Sequence, residues 1–198
     1  FFFEEPCVFY MHVHGRGKPY DLARKVKPAL DLIGKRGATQ TAIRPGATPT
    51  ATSGTAAQGS NPLNTAKLAQ IVGHQGDQAG AVYKITVGRD DLKLTDMGAP
   101  VNARMGLNSW AAFVGTDQNA AVAGDVAMLS AEVTPMLKAL RTNGLDVVAI
   151  HQDLLDTRPT IFFLHYWGTG PADKLATGFK AALDRLGHGA SASHAGQQ

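Results

Sequence analysis

The stretch AAVAGDVAML (120–129), SAEVTPMLKALRT (130–142), DVVAIHQ (146–152), PTIFFLHYW (159–167) and ADKLATGFKAALDRLG (172–187) decides the fold. Ala120 to Leu129 is an apolar run of strand length ending where Ser130, Thr134 and Pro135 offer helix-start signals. Val133, Met136, Leu137 and Leu140 recur at helical spacing, and Asn143-Gly144 ends that helix. Residues 146–152 and 159–167 are β-branched and aromatic, with a turn near Asp156–Arg158. Leu175, Phe179, Ala182 and Leu186 form the apolar stripe of a last helix, stopped by Gly187. The order from Ala120 is β-α-β-β-α. It predicts an α+β domain, an antiparallel sheet with helices on one face in a ferredoxin-like, split β-α-β arrangement.

Working outward, residues 1–34 align without a gap on 154–187, at a constant shift of 153. Pro6 falls on Pro159, Phe9 on Phe162, His12 on His165, Gly15 on Gly168 and Gly17 on Gly170. Leu22-Ala23 falls on Leu175-Ala176, and Gly34 on Gly187. An internal repeat is therefore expected: in each copy a strand, a Gly-x-Gly turn and a helix, the first strand lying over 6–14. Pro28 is expected to kink or shorten the first helix. The first copy lacks a counterpart of the second copy's earlier half. Together with the apolar start Phe1-Phe2-Phe3, this reads as a truncated first repeat whose apolar surface would contact the missing part. An alternative is one larger mixed sheet shared by both units.

The expected organisation is residues 1–37 as the end of the first repeat, 38–62 as a linker, 63–187 as a complete second repeat and 188–198 as a disordered tail. The linker is dominated by Ala, Thr, Ser, Gly and Pro, with Arg44 its only charge. After it, Asn61-Pro62 reads as a helix start leading through Leu63, Leu68 and Ile71 to Gly73. Val82 to Val87 and Ser109 to Val114 read as strands, the latter joined to Ala120 by the turn cluster Gly115-Thr116-Asp117-Gln118-Asn119.

Composition excludes several classes. Of 198 residues, 44% are hydrophobic and 18% charged, enough apolar content to reject whole-chain disorder. No apolar run approaches the roughly 20 residues of a membrane-spanning helix. The single cysteine, Cys7, excludes a disulfide framework and a multi-cysteine metal site. Nineteen basic against 16 acidic residues leave +3, which without a basic motif argues against nucleic acid as a partner. Walker, dinucleotide-binding, nucleophile-elbow and His-Glu-x-x-His motifs are absent. The Gly-x-Gly sequences read as tight turns.

Histidines carry the candidate chemistry. His12 and His14 stand two apart on the expected first strand, as do His151 and Asp153 on another, and His165 lies on the strand expected to pair with the latter. Imidazoles with a carboxylate suit zinc or copper. His151, Asp153, His165, His12 and His14 are therefore the candidate metal ligands. Hairpin register decides whether they meet: His151 opposite Phe163 and His165 opposite Ala149 puts them on one face, and a slip of one residue separates them. His14 is replaced by Trp167 in the second copy. His74, His188 and His194 read as solvated. Asp117 and Asn119 read as turn formers, and Asp125 as either a buried, paired acid or, the preferred reading, an acid facing solvent on the open side of the sheet.

Leu107-Asn108-Ser109-Trp110-Ala111-Ala112-Phe113-Val114-Gly115-Thr116-Asp117, Gly124-Asp125, Glu132-Val133-Thr134-Pro135, Leu140-Arg141-Thr142-Asn143-Gly144 and Phe163-Leu164-His165-Tyr166-Trp167 resemble the LppY/LpqO family of bacterial secreted proteins and lipoproteins. The resemblance spans most of 1–34 and 63–187. It implies a tandem duplication of a domain of unknown function and export to the periplasm or cell surface, with no established reaction. Where that family shows His-Asn-His, this chain has His151-Gln152-Asp153, an aspartate in place of the second imidazole. Three functional classes follow. One is an extracytoplasmic protein binding a transition metal or small ligand. The second is a metal-assisted or histidine-dependent hydrolase, and the third a structural or interaction module without chemistry.

Overall fold

The strand running from Ala120 to Leu129 alternates in chemistry. Ala120, Val122, Val126 and Met128 face one way into a large apolar core, while Ala121, Ala123, Asp125 and Ala127 face the other. The computed structural model describes residues 11–33, 62–154 and 157–187. These fall into two compact units, one holding residues 13–33 and the other residues 11–12, 62–154 and 157–187. The expected linker up to residue 61, the tail, the Phe1–Phe3 cluster, Cys7, His188 and His194 lie outside the described residues, as do positions 6–10 of the expected first strand.

The smaller unit holds helix α1 (Pro19–Leu30). The larger contains helix α2 (Thr65–Val72) and strands β1 (Gly76–Ala79), β2 (Val82–Gly88), β3 (Leu94–Asp96), β4 (Ala99–Val101), β5 (Asn108–Gly115) and β6 (Ala120–Leu129). Helix α3 (Ser130–Thr142), strands β7 (Asp146–His151) and β8 (Ile161–Gly170), and helix α4 (Ala172–Leu183) complete it. The six-stranded sheet runs β1-β2-β5-β6-β8-β7 with every neighbouring pair antiparallel; β3 and β4 form a separate hairpin. Strand β8 lies between β6 and β7, which α3 connects. That is the split β-α-β arrangement, and the α+β class is as the sequence predicts.

Helices α2, α3 and α4 bury one face of the sheet. Leu68, Val72, Met136, Leu140, Leu175 and Phe179 meet Ile85, Phe113, Val126, Leu164 and Tyr166, all at most 4% exposed. Burying each of the large side chains stabilises the fold by roughly 1.5–3 kcal/mol. Gly124 is required beneath this packing: a Cβ there would lie 2.0 Å from Cζ of Tyr166, whose hydroxyl donates to the Trp110 carbonyl at 3.1 Å. On the opposite face a smaller core of Leu94, Val101, Leu107, Ala127, Ile161 and Phe163 covers one end of β6 and β8.

Several local expectations are corrected. Residues 11–14 carry no strand. Helix α2 starts at Thr65, capped by Asn64, whose side chain accepts the Lys67 N–H at 3.0 Å; Asn61 lies outside the described residues. Pro62 instead bridges to Thr116. Pro135 sits inside α3, which already starts at Ser130 because the Glu132 carboxylate takes the Leu129 N–H at 2.7 Å. Gly168-Thr169-Gly170 finishes β8 rather than turning, paired along β6 down to Ala120. Asp117 reaches beyond its own turn: its carboxylate accepts the Asn64 N–H at 2.7 Å, holding the start of α2. Pro28 does not shorten α1. Helices α1 and α4 are each 12 residues long, 153 positions apart at both ends, and are preceded by Gly17 and Gly170 at φ 147° and 142°.

One irregularity positions the site. Val147 pairs with Tyr166, but the next pair is Ala149 with His165, so Val148 is an extra residue in β7. Without that bulge, continuous pairing would set His151 opposite Phe162, on the helix-covered face. With it, His151 stands opposite Phe163 and shares the face of His165.

Candidate metal centre

The face of the sheet away from the helices carries a line of side chains across four strands. Trp110 of β5 pairs with Asp125 of β6, Asp125 with His165 of β8, and His165 with Ala149 of β7. His151 lies one pair further along, at the end of β7, and Asp153 follows just beyond the strand. The register is the one that places His151 and His165 on one side, and their rings stack with centroids 4.7 Å apart. Phe163 lies against the same column, 6.3 Å from the His151 ring.

His12, from the segment before Gly15, joins this group, its ring 5.5 Å from that of His151. His12 Nε2 and His151 Nδ1 approach the same oxygen of Asp153, Oδ1, at 3.2 and 2.7 Å. All three donor atoms lie within 4.8 Å of one another. The Asp153 side chain is 15% exposed and that of His12 47%, so the carboxylate forms the floor and the imidazoles the rim. Two nitrogen donors and one oxygen suit a borderline divalent cation. Among the described residues this is the one group of three metal-binding side chains that converges. His14 is exposed and belongs to the smaller unit, and His74 is exposed on a turn.

Behind the rim lies the residue sequence reading misplaces. Asp125 is 8% exposed rather than solvated, because it sits in the middle of the sheet between Trp110 and His165. Its Oδ1 is buried without a hydrogen-bond partner among the described residues, 3.9 Å from His165 Nδ1. Burial, and secondarily the charge of Asp153, push its pKa up to about 7, against the backbone N–H groups of Val126 and Leu164 and the charge of Lys84. Burial, then the neighbouring His151, holds the His165 imidazole below its ordinary range, with Asp153 acting in the opposite direction. The signal available in sequence was a lone acid inside the apolar run 120–129.

A second buried charged group has a structural task. Arg89 donates through Nη1 to Glu132 (2.8 Å) and to the Ala127 carbonyl (2.8 Å), and through Nη2 to Glu132 (3.1 Å) and Asp91 (2.8 Å). Glu132 also accepts the Gly187 N–H at 2.7 Å, so this one carboxylate ties the end of β6, the start of α3 and the chain after α4 together.

A six-stranded antiparallel sheet with helices on one face and a histidine–aspartate group on the other defines an α+β fold with a candidate metal centre. It belongs to the family described as Domain of Unknown Function (DUF1259), whose profile matches residues 1–32 and 66–185. No curated protein and no solved structure matches the chain.

Proposed function

We propose that this chain is an extracytoplasmic metal-binding protein of the LppY/LpqO type, holding a zinc- or copper-class ion through His12, His151 and Asp153. The observation that carries the reading is the convergence of one atom from each residue within 4.8 Å. The placement outside the cytoplasm rests on the resemblance of the Phe163–Trp167 and Leu107–Asp117 segments to secreted proteins and lipoproteins. His12 comes from a segment distant in sequence, so metal binding would fasten that segment to the edge of β7.

Full-length protein stripped with chelator and re-equilibrated with zinc is expected to retain metal, and His151→Ala to lose at least tenfold in affinity. Metal-free wild type, or unchanged affinity in a folded His151→Ala variant, would overturn the reading in favour of a module without chemistry.

One observation favours metal-assisted hydrolysis as a second reading. Three protein donors, two of them on an exposed rim, leave a coordination position towards solvent, as catalytic zinc sites require. Zinc-dependent cleavage of activated carboxylic or phosphate esters, abolished in His151→Ala, is the expected result. No turnover by the zinc-loaded protein would leave binding alone.

A further inference from the structure

Asp125 and His165 are not accounted for by the three-donor group. They face each other directly across the β6–β8 ladder, on the same side of the sheet as His12, His151 and Asp153. Asp125 is buried, 8% exposed, and its Oδ1 has no hydrogen-bond partner among the described residues. A buried carboxylate oxygen left this way is costly unless something is placed against it.

The spacing identifies what fits. Oδ1 of Asp125 and Nδ1 of His165 are 3.9 Å apart. That exceeds the roughly 2.7–3.2 Å of a hydrogen bond. It is within the span of about 4.2 Å that two ligands bonded at about 2.1 Å to one cation can reach, and closing to about 3.4 Å gives tetrahedral geometry. The direction fits as well. The His165 ring stacks face to face on His151, so its nitrogens lie in a plane beside the first group. Its Nδ1 is the atom nearest Asp125. We propose that Asp125 and His165 form a second divalent-cation position beside the His12–His151–Asp153 group, making the face a two-metal centre.

This inference rests on the metal-binding reading and deepens it. Two adjacent cations would hold the two oxygens of one carboxylate, phosphate ester or other small oxyanion, each ion taking one oxygen. The ligand class expected is therefore a small bidentate oxyanion.

The test is zinc stoichiometry by elemental analysis of full-length protein, with folding checked by circular dichroism. Wild type is expected to hold about two equivalents, and Asp125→Asn and His165→Gln about one each. The pair of variants guards against one of them failing to fold. One equivalent in wild type, whether the Asp125 variant holds one or none, overturns the second position while leaving the metal-binding reading intact. Two equivalents in wild type and in both folded variants overturn it equally. No zinc in wild type removes the parent reading and this one together.

Discussion

Replacing Asp125 by Asn should make the metal-free protein more stable at alkaline pH, and the size follows from where the residue sits. A carboxyl whose folded-state pKa is about 7, against an ordinary 3.8, fits the fold better protonated than ionised. Its contribution is complete below about pH 4, declines as pH rises and is fully lost above about pH 7. At about 1.4 kcal/mol per pH unit, that interval sets a ceiling near 4 kcal/mol, a large part of the roughly 5–15 kcal/mol by which domains are stable. Asn keeps the shape and cannot ionise. In urea denaturation with chelator present, the variant and wild type should be equal near about pH 3, and by about pH 8 the variant should lead by about 2–4 kcal/mol. The diagnostic quantity is the difference between the two proteins. Parallel pH profiles would refute the argument that the sheet interior disfavours this charge. Zinc at 100 times its Kd should then restore about 2.7 kcal/mol per occupied site to wild type, narrowing the gap.

The Arg89–Glu132 pair predicts the opposite behaviour. Both side chains are 2% exposed, so Glu132→Gln leaves a buried guanidinium short of its counter-charge and should cost about 3 kcal/mol or more in urea denaturation; a loss below about 1 kcal/mol would show that Asp91 alone suffices. Deleting Val148 removes the extra residue, so Ala149 follows Val147 directly, His151 keeps its place opposite Phe163, and zinc affinity should stay within a few-fold of wild type. A tenfold or greater loss in the folded deletion variant would show that the bulge itself shapes the site.

The sheet and its helix-covered face were legible because alternation is a local signal. Phe162, Leu164 and Tyr166 against Phe163, His165 and Trp167 fix the two faces of β8, and Val122, Val126 and Met128 fix those of β6. The short strands β1, β3 and β4 were not, since three or four residues such as Gly76–Ala79 carry no periodicity. Cap positions were misread for a related reason. Asn64, Ser130 and Thr134 are all competent capping residues, and where each helix starts is decided by tertiary partners: Asp117 for α2, and Glu132 bonded to Arg89 for α3.

The site was half legible, and the missing half has one physical origin. His151 and Asp153 are adjacent in sequence, and His165 is one strand away, so hairpin logic brings them near each other. Asp125 is joined to them only by the β6–β8 pairing, made across 40 positions of sequence, and an acid next to Gly124 reads locally as solvent-facing. Its burial comes from strand order: β6 is interior to the sheet, with β5 and Trp110 on one side and β8 and His165 on the other. The same placement separates the chemistry from the core. Even-numbered positions of β6 and β8 pack against the helices, while the odd-numbered ones at 125 and 165 point away from them. Changing the imidazoles or carboxylates therefore alters the site without opening a cavity beneath α3 and α4.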